Sequence, residues 1–181
     1  MKERLINRAV DLWQKYGYEN VSVNMISKTC GVTKGSFYHH FSSKEEVIDS
    51  YIDIRVKNVL KEIDQNASYA DILFSIIQKM TEPIMELNED LIFIVMRQRN
   101  AGSSENDYND VFVGSEIYNE MKKYYLLGQK SGEIRNEVSA EELLNACNSV
   151  FTGNIIKWCL CKKSFDLLEE DRKIMELIIK R

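Results

Sequence analysis

From Lys34 to His39 the chain places a cation, a hydroxyl, a phenol and an imidazole around a glycine. At about 100° per residue, Phe37 and Phe41 share one helical face and belong to a core. The opposite face carries Gly35 and His39, flanked by Lys34 and Tyr38 on one side and Ser36 on the other. Each polar member of this set can donate to a phosphate or a base edge. Glycine inside a helix costs about 1 kcal/mol against alanine, and close approach of the backbone to a ligand is a reason to accept it. DNA is such a ligand. A solvated face with an incidental glycine explains any one of these residues, but not the ordered set.

The elements around this face have to hold it in place. Ser22 can cap a helix with apolar positions Val23, Met25, Ile26 and Cys30. Gly31 stands where a chain leaving one helix needs a left-handed residue. Thr33 can cap the helix that follows, and Ser43 with Glu46 forms an S-x-x-E capping box for the next. Helix, glycine turn and helix is how a protein presents a short helix to the DNA major groove. Thr33 and Lys34 also sit at a helix N-terminus, where free N–H groups favour phosphate. Residues 2–16 read as an amphipathic helix completing a three-helix head. Leu5, Ala9, Leu12 and Tyr16 share one face, and Ile6, Val10 and Trp13 widen it. Its basic residues either reach a neighbouring phosphate or fray into solvent.

On these residues the sequence resembles the TetR/AcrR family of bacterial transcriptional regulators. The likeness is carried by Tyr16-Gly17-Tyr18, Val21-Ser22-Val23, Ile26-Ser27, Gly31 to Ser36, Tyr38 to Phe41 and Ser43-Lys44-Glu45. It covers about the first quarter of the chain, with a weaker match in the turn near residues 126–135. Ser27 and Cys30 stand where the family often has alanine, and both are small. The resemblance implies that Lys34, Ser36, Tyr38 and His39 face DNA, and that Lys44 holds phosphate from the start of the next helix. With Ser22, Thr33 and Gly35, these form the expected DNA-binding set. It also implies an effector pocket in the body and pairing of the last two helices with a second copy.

Composition fits a basic head on an acidic body. The net charge is −4. Through Lys44, seven basic residues (Lys2, Arg4, Arg8, Lys15, Lys28, Lys34, Lys44) face three acids (Glu3, Asp11, Glu19), a balance of +4 that leaves −8 for the remainder. Such asymmetry is the electrostatic footprint of a head that meets phosphate. One proline and eight glycines in 181 residues favour long helices, and the expected class is all-α. The expected division is a helix-turn-helix domain over residues 1–47 and a helical effector-binding and dimerisation domain over 48–181. The N-terminus is unlike a signal peptide, and the longest apolar run, Leu91 to Met96, is too short to span a bilayer. The four cysteines form neither a zinc spacing nor a CxxC pair. A reduced, cytoplasmic chain is the simplest reading.

In the body, the spacing predicts one unbroken helix from Lys44 through Tyr51, Val59 and Ile63, a rod able to transmit movement to the head. Capping signals at Ser68, Ser139 and Asp166 open further helices, Pro83 should kink or divide one of them, and residues 102–107 read as a loop. Candidate pocket residues are Phe74, Met80, Met96, Phe112, Tyr118, Met121 and Phe151, with Gln98 and Asn148 as polar anchors. Plain core is the competing reading for each. The last two helices carry apolar residues on more than one face, so they need a second partner. The expected homodimer interface holds Val150, Gly153, Ile155, Trp158, Ile174 and Ile178, and two heads roughly 34–36 Å apart would read a palindrome.

Cys159 and Cys161, near Lys157, Lys162 and Lys163, could respond to oxidants, although residues two apart on a helix point to different sides. His39 and His40 diverge in the same way, so a zinc pair is not expected. No catalytic constellation, metal site or cofactor motif appears. The expectation is a repressor released from a palindromic operator by a small apolar effector. An activator or nucleoid-type binder on the same fold is the first alternative. An enzyme or helical interaction module with a vestigial head is the second.

Overall fold

Short polar side chains set most helix starts in this chain. The computed structural model describes residues 1–101 and 116–180, with 98–101 described by backbone alone. The described residues form α-helices and one 3-10 turn, with no strand. α1 (Lys2–Tyr16) opens at Met1 without a side-chain cap and ends at Gly17, φ +81°. α2 (Val23–Thr29), α3 (Lys34–His40) and α4 (Lys44–Val56) open at Ser22, Thr33 and Ser43. Each of these hydroxyls accepts from the N–H three residues on, at 3.2, 3.1 and 3.3 Å. α5 (Tyr69–Met85) follows Ser68, and α6 (Glu89–Ala101) follows Asn88, whose Oδ1 accepts from Leu91 N–H at 3.0 Å. α7 (Glu116–Ser131) ends at Gly132, φ +80°. α8 (Ala140–Leu160) begins with the full Ser139/Glu142 capping box, and α9 (Leu167–Ile179) is capped by Asp166.

The chain divides into two compact units. The first joins Met1–Lys57 to the segment from Glu82 through α6. α1 packs on α2 and α4, and α4 on α6. Leu5, Ile6, Ala9, Trp13, Phe37 and Phe41 form the buried centre of the head. Tyr16, expected on the buried face of α1, is 45% exposed, because the core stripe centres on Ile6, Val10 and Trp13 instead. In the same unit Tyr51 donates to Glu86 at 2.8 Å, and the Arg55 guanidinium lies 3.6 Å over the Tyr51 ring.

The second unit joins Asn58–Thr81 to the segment from α7 onward, built on α7 against α8 and α8 against α9. Gly128 lets the turn after α7 fold back closely: a Cβ there would stand 2.5 Å from Ile134 Cδ1 and 3.2 Å from Tyr69 Cβ. The α8–α9 pairing buries Asn154 and Asp171 together. Cys159 is buried and Cys161 exposed, as divergent positions require.

Several expectations need correction. The unbroken rod from Lys44 does not form. α4 ends at Val56, a 3-10 turn covers Val59–Glu62, and Ile63 is extended. Ile52, Ile54 and Val56 lose rotamer freedom in a helix, and Asn58 competes for backbone bonds, so the last turn is weak. Val59 and Ile63 are still buried; their spacing is satisfied without one straight helix. The S-x-x-E box at α4 is also displaced, since Glu46 accepts from Ser42 N–H at 2.6 Å rather than from Ser43. Pro83 lies inside α5 without ending it. The stretch 102–107 lies outside the described residues.

Candidate nucleic-acid interface

The recognition surface follows from the two ends of α3. Gly31, at φ +66°, turns the chain sharply out of α2, which a side chain would strain. Thr33 caps α3 two residues later, and Phe41 stops it by adopting extended backbone, φ −144°. Between these ends Phe37 is fully buried, and its ring lies 5.5 Å from that of Phe41. Burying that side forces the other outward. Lys34, Gly35, Tyr38 and His39 are exposed, and Ser36 is half-buried. Tyr38 presents 49% of its surface, with Lys34 Nζ 5.6 Å from its ring centre.

Gly35 gains meaning from its surroundings. A Cβ there would meet only Thr33 Oγ1, at an ordinary 3.7 Å. Packing within the chain therefore does not call for glycine. Its cost in the helix, about 1 kcal/mol against alanine, is not offset by packing inside the chain. Ser22 and Thr33 are exposed with their oxygens engaged as caps, and each hydroxyl keeps its own O–H for another acceptor.

Lys44 sits differently from the others. Its Nζ donates to the carbonyls of Tyr18, at 3.1 Å, and Val21, at 3.2 Å, and it is half-buried. Arg4 is likewise engaged, donating to the Cys30 carbonyl at the end of α2, while Cys30 Sγ lies 3.8 Å from the Arg4 carbonyl. Sequence reading missed Tyr18, Glu45 and Arg4 as parts of the head's frame. Nothing in their spacing links positions more than twenty residues apart.

The body candidates separate on the same inspection. Phe74, Tyr118, Met121 and Phe151 are buried in the second unit, where Met80 and Asn148 are half-buried. Met96 belongs to the first unit. Phe112 and the Gln98 side chain lie outside the described residues. Of the expected dimer residues, Gly153 is exposed and Val150, Ile174 and Ile178 are half-buried. Ile155 and Trp158, however, are buried within the chain, with Trp158 Nε1 donating to the Phe165 carbonyl at 3.0 Å. That bond ties Trp158 to the turn between α8 and α9. The exposed apolar positions on these helices are instead Ile156, Leu160 (73%) and Leu177 (79%).

Residues 5–51, the segment that builds this head, match the model of bacterial regulatory proteins of the tetR family. The matched segment is a tetR-family head. It is 26% identical to the icaADBC operon negative transcriptional regulator IcaR of Staphylococcus epidermidis over 129 residues, 69% of each chain. It is 36% identical to the HTH-type transcriptional regulator YerO of Bacillus subtilis over 69 residues, 36% of this chain and 24% of that one. Its fold is similar to that of FadR from Bacillus subtilis in complex with stearoyl-CoA, at TM-score 0.75 and 19% identity over 99% of this chain and 98% of that one. The chain is a DNA-binding transcriptional regulator, with the helix-turn-helix of α2 and α3 as its reading head. No described helix is long and apolar enough to cross a membrane.

Proposed function

We propose that this TetR-family regulator is a repressor whose two recognition helices hold a palindromic operator until an apolar effector in the body releases it. The observation that carries the reading is the outward face of α3, where Lys34, Tyr38 and His39 surround a glycine that the chain's own packing does not require. In this reading Lys34 and the Ser22, Thr33 and Ser36 hydroxyls hold phosphate, and Tyr38 and His39 reach base edges. The functional boundary lies near residue 47, with DNA reading before it and effector binding and dimerisation after it.

One seven-residue recognition helix touches too few bases for useful specificity, so two copies are needed. Gly153, Ile156, Leu160 and Leu177 form the apolar surface offered to the second copy, with Val150, Ile174 and Ile178 beside them. Effector binding falls to the second unit, around Phe74, Met80, Tyr118, Met121, Asn148 and Phe151. Two fold neighbours, FadR of Thermus thermophilus and of Bacillus subtilis, are complexes with lauroyl-CoA and stearoyl-CoA. A long-chain acyl-CoA is therefore the first ligand to test. Release demands differential binding: moving the protein from about 99% operator-competent to 1% takes roughly 10⁴-fold preference for the released state.

Gel retardation of the chain's own upstream DNA tests the reading. Lys34→Ala should weaken binding to all sequences alike. Tyr38→Phe should cost roughly 1–3 kcal/mol on the operator and relax sequence preference. No retardation at any salt would sink the DNA reading, and retardation that ignores both changes would sink the site assignment. Retention of the complex in stearoyl-CoA would remove only that ligand.

A further inference from the structure

α9 carries two apolar stripes, and the one turned inward is the less apolar of the two. Leu167, Met175 and Ile179 are buried, and Asp171 is buried in line with them. Ile174, Leu177 and Ile178 form a second stripe roughly a quarter turn away, half-buried or exposed. Each stripe offers three large apolar side chains. Apolar burial alone therefore favours the stripe without the carboxyl, because a buried carboxyl is costly unless it is hydrogen-bonded.

The deciding group stands on α8. Asn154 lies in that helix's own buried stripe, three residues after Phe151 and four before Trp158. Its Nδ2 donates to Asp171 Oδ1 at 2.7 Å, the only hydrogen bond that the carboxyl makes among the described residues, since Oδ2 has none. Turning α9 onto its other stripe, or sliding either helix by one turn, removes that bond. A buried carboxyl stripped of its partner is far costlier than one left in water. Nearby charges hold α9 less firmly. Arg172 meets Asp71 of α5, but the two side chains are 47% and 49% exposed, and Lys157 with Glu170 is separated by 4.0 Å. Ion pairs as wet or as long as these are worth little.

We propose that Asn154 and Asp171 are the specificity pair of the α8–α9 packing: their bond selects which stripe of α9 turns inward, and leaves Ile174, Leu177 and Ile178 for a second copy of the chain. The last part rests on the proposed dimer. Apolar packing supplies the attraction, and the polar pair supplies the choice. Operator reading needs that choice, because heads joined through a variable face are not held at one spacing.

Replacing a buried polar pair by apolar residues keeps or raises stability when the role of the pair is choice, which separates it from a merely structural bond. The reporter is Met175, 1% exposed on the inward stripe; Met121, buried on α7, is the folded control, and Met1, 58% exposed, is the upper limit. Oxidation by dilute hydrogen peroxide is mapped by mass spectrometry. In the unaltered protein Met175 should react at least about 10-fold more slowly than Met1, since oxidation follows exposure of the thioether. In Asn154→Leu/Asp171→Leu it should react within about 3-fold of Met1, while Met121 stays protected. The thermal midpoint of that variant should be unchanged or higher, and light scattering should show mixed oligomers in place of one. Asp171→Asn keeps an amide facing Asn154 and should leave Met175 protected. Asn154→Ala/Asp171→Ala repeats the test in a form that cannot overpack.

Met175 still protected in a folded double variant would overturn the proposal, since the stripes would then sort themselves without the pair. So would oxidation of Met121 together with Met175 in both double variants, which would make the pair a requirement for folding. A monomeric unaltered protein would sink only the dimer reading, because Met175 reports the choice of stripe within one chain.

Discussion

Asp171 lies wholly inside the α8–α9 pairing, with Asn154 Nδ2 donating to its Oδ1 at 2.7 Å. Its Oδ2 has no hydrogen-bond partner among the described residues. Burial pushes the carboxyl up to about 6, the Asn154 bond opposes that shift, and the charge of neighbouring Glu170 adds to it. Glu170 in turn lies 4.0 Å from Lys157 of α8. An unfolded carboxyl loses its proton near pH 4, so the folded state here holds the proton more tightly. The stabilisation from this group is complete below about pH 4 and is lost as pH rises through about 6, a change of roughly 2–3 kcal/mol. Carboxylates such as Asp71 and Glu45, held below their usual range, act in the opposite sense, gaining stability as pH rises through the acid range. The measurement is therefore a difference. Urea unfolding of the unaltered protein and of Asp171→Asn between pH 4.5 and 7.5 should diverge, with the variant losing the fall toward neutral pH. Parallel curves would show that Asp171 does not titrate in this window. By contrast, burial pushes the Cys147 thiol up to about 11, so it stays protonated and inert at neutral pH.

At the scale of elements, α7 and its turn show packing overriding helix propensity. Alanine usually improves a helix interior by about 1 kcal/mol over glycine. At Gly128, however, the added Cβ would press on Ile134, which is fully buried and cannot withdraw. Overpacking of this kind costs about 1–3 kcal/mol, so Gly128→Ala should lower the thermal midpoint despite its better propensity. A raised midpoint would show that Ile134 repacks freely. The capping boxes make a parallel point. Ser139 with Glu142 closes on itself as the sequence pattern expects, because both members sit in one continuous turn. Ser43 with Glu46 does not, because Ser42 offers Glu46 both an N–H and a hydroxyl within 2.7 Å. Two sets of donors compete there for one carboxylate, and spacing alone cannot rank them.

At the scale of the molecule, the proposed dimer makes the apolar surface of α8 and α9 decide whether two heads act together. Leu160 and Leu177 are among the most exposed large apolar side chains in the chain, on the two helices that the proposed dimer would pair. Charging them removes the reason to associate without disturbing the core beneath. Leu160→Glu with Leu177→Glu should shift the protein toward monomer in light scattering on dilution, while the far-ultraviolet spectrum stays helical. Operator affinity should then fall steeply, since one head loses the partner that supplies the second half-site. An unchanged dimer would place the interface elsewhere. This is also where the sequence reading needed most revision, because Ile155 and Trp158 belong to the same apolar pattern yet face inward. A helix with two apolar faces reveals that two partners exist, not which face meets which.

The head could be read from sequence because its signals are local. Caps lie three residues from their targets, glycine marks a left-handed turn, and Phe37 and Phe41 define one face of α3 and hence the other. The family followed from that order of residues. Asp171 went unread, although it stands in the apolar spacing of Leu167 and Met175. Only the tertiary structure could show that Lys44 bonds carbonyls more than twenty residues back, that α4 stops at Val56, or that Trp158 is used inside its own chain. Those outcomes depend on which distant groups compete for one donor, one acceptor or one apolar face. Sequence sets the terms of that competition, and packing selects the partner.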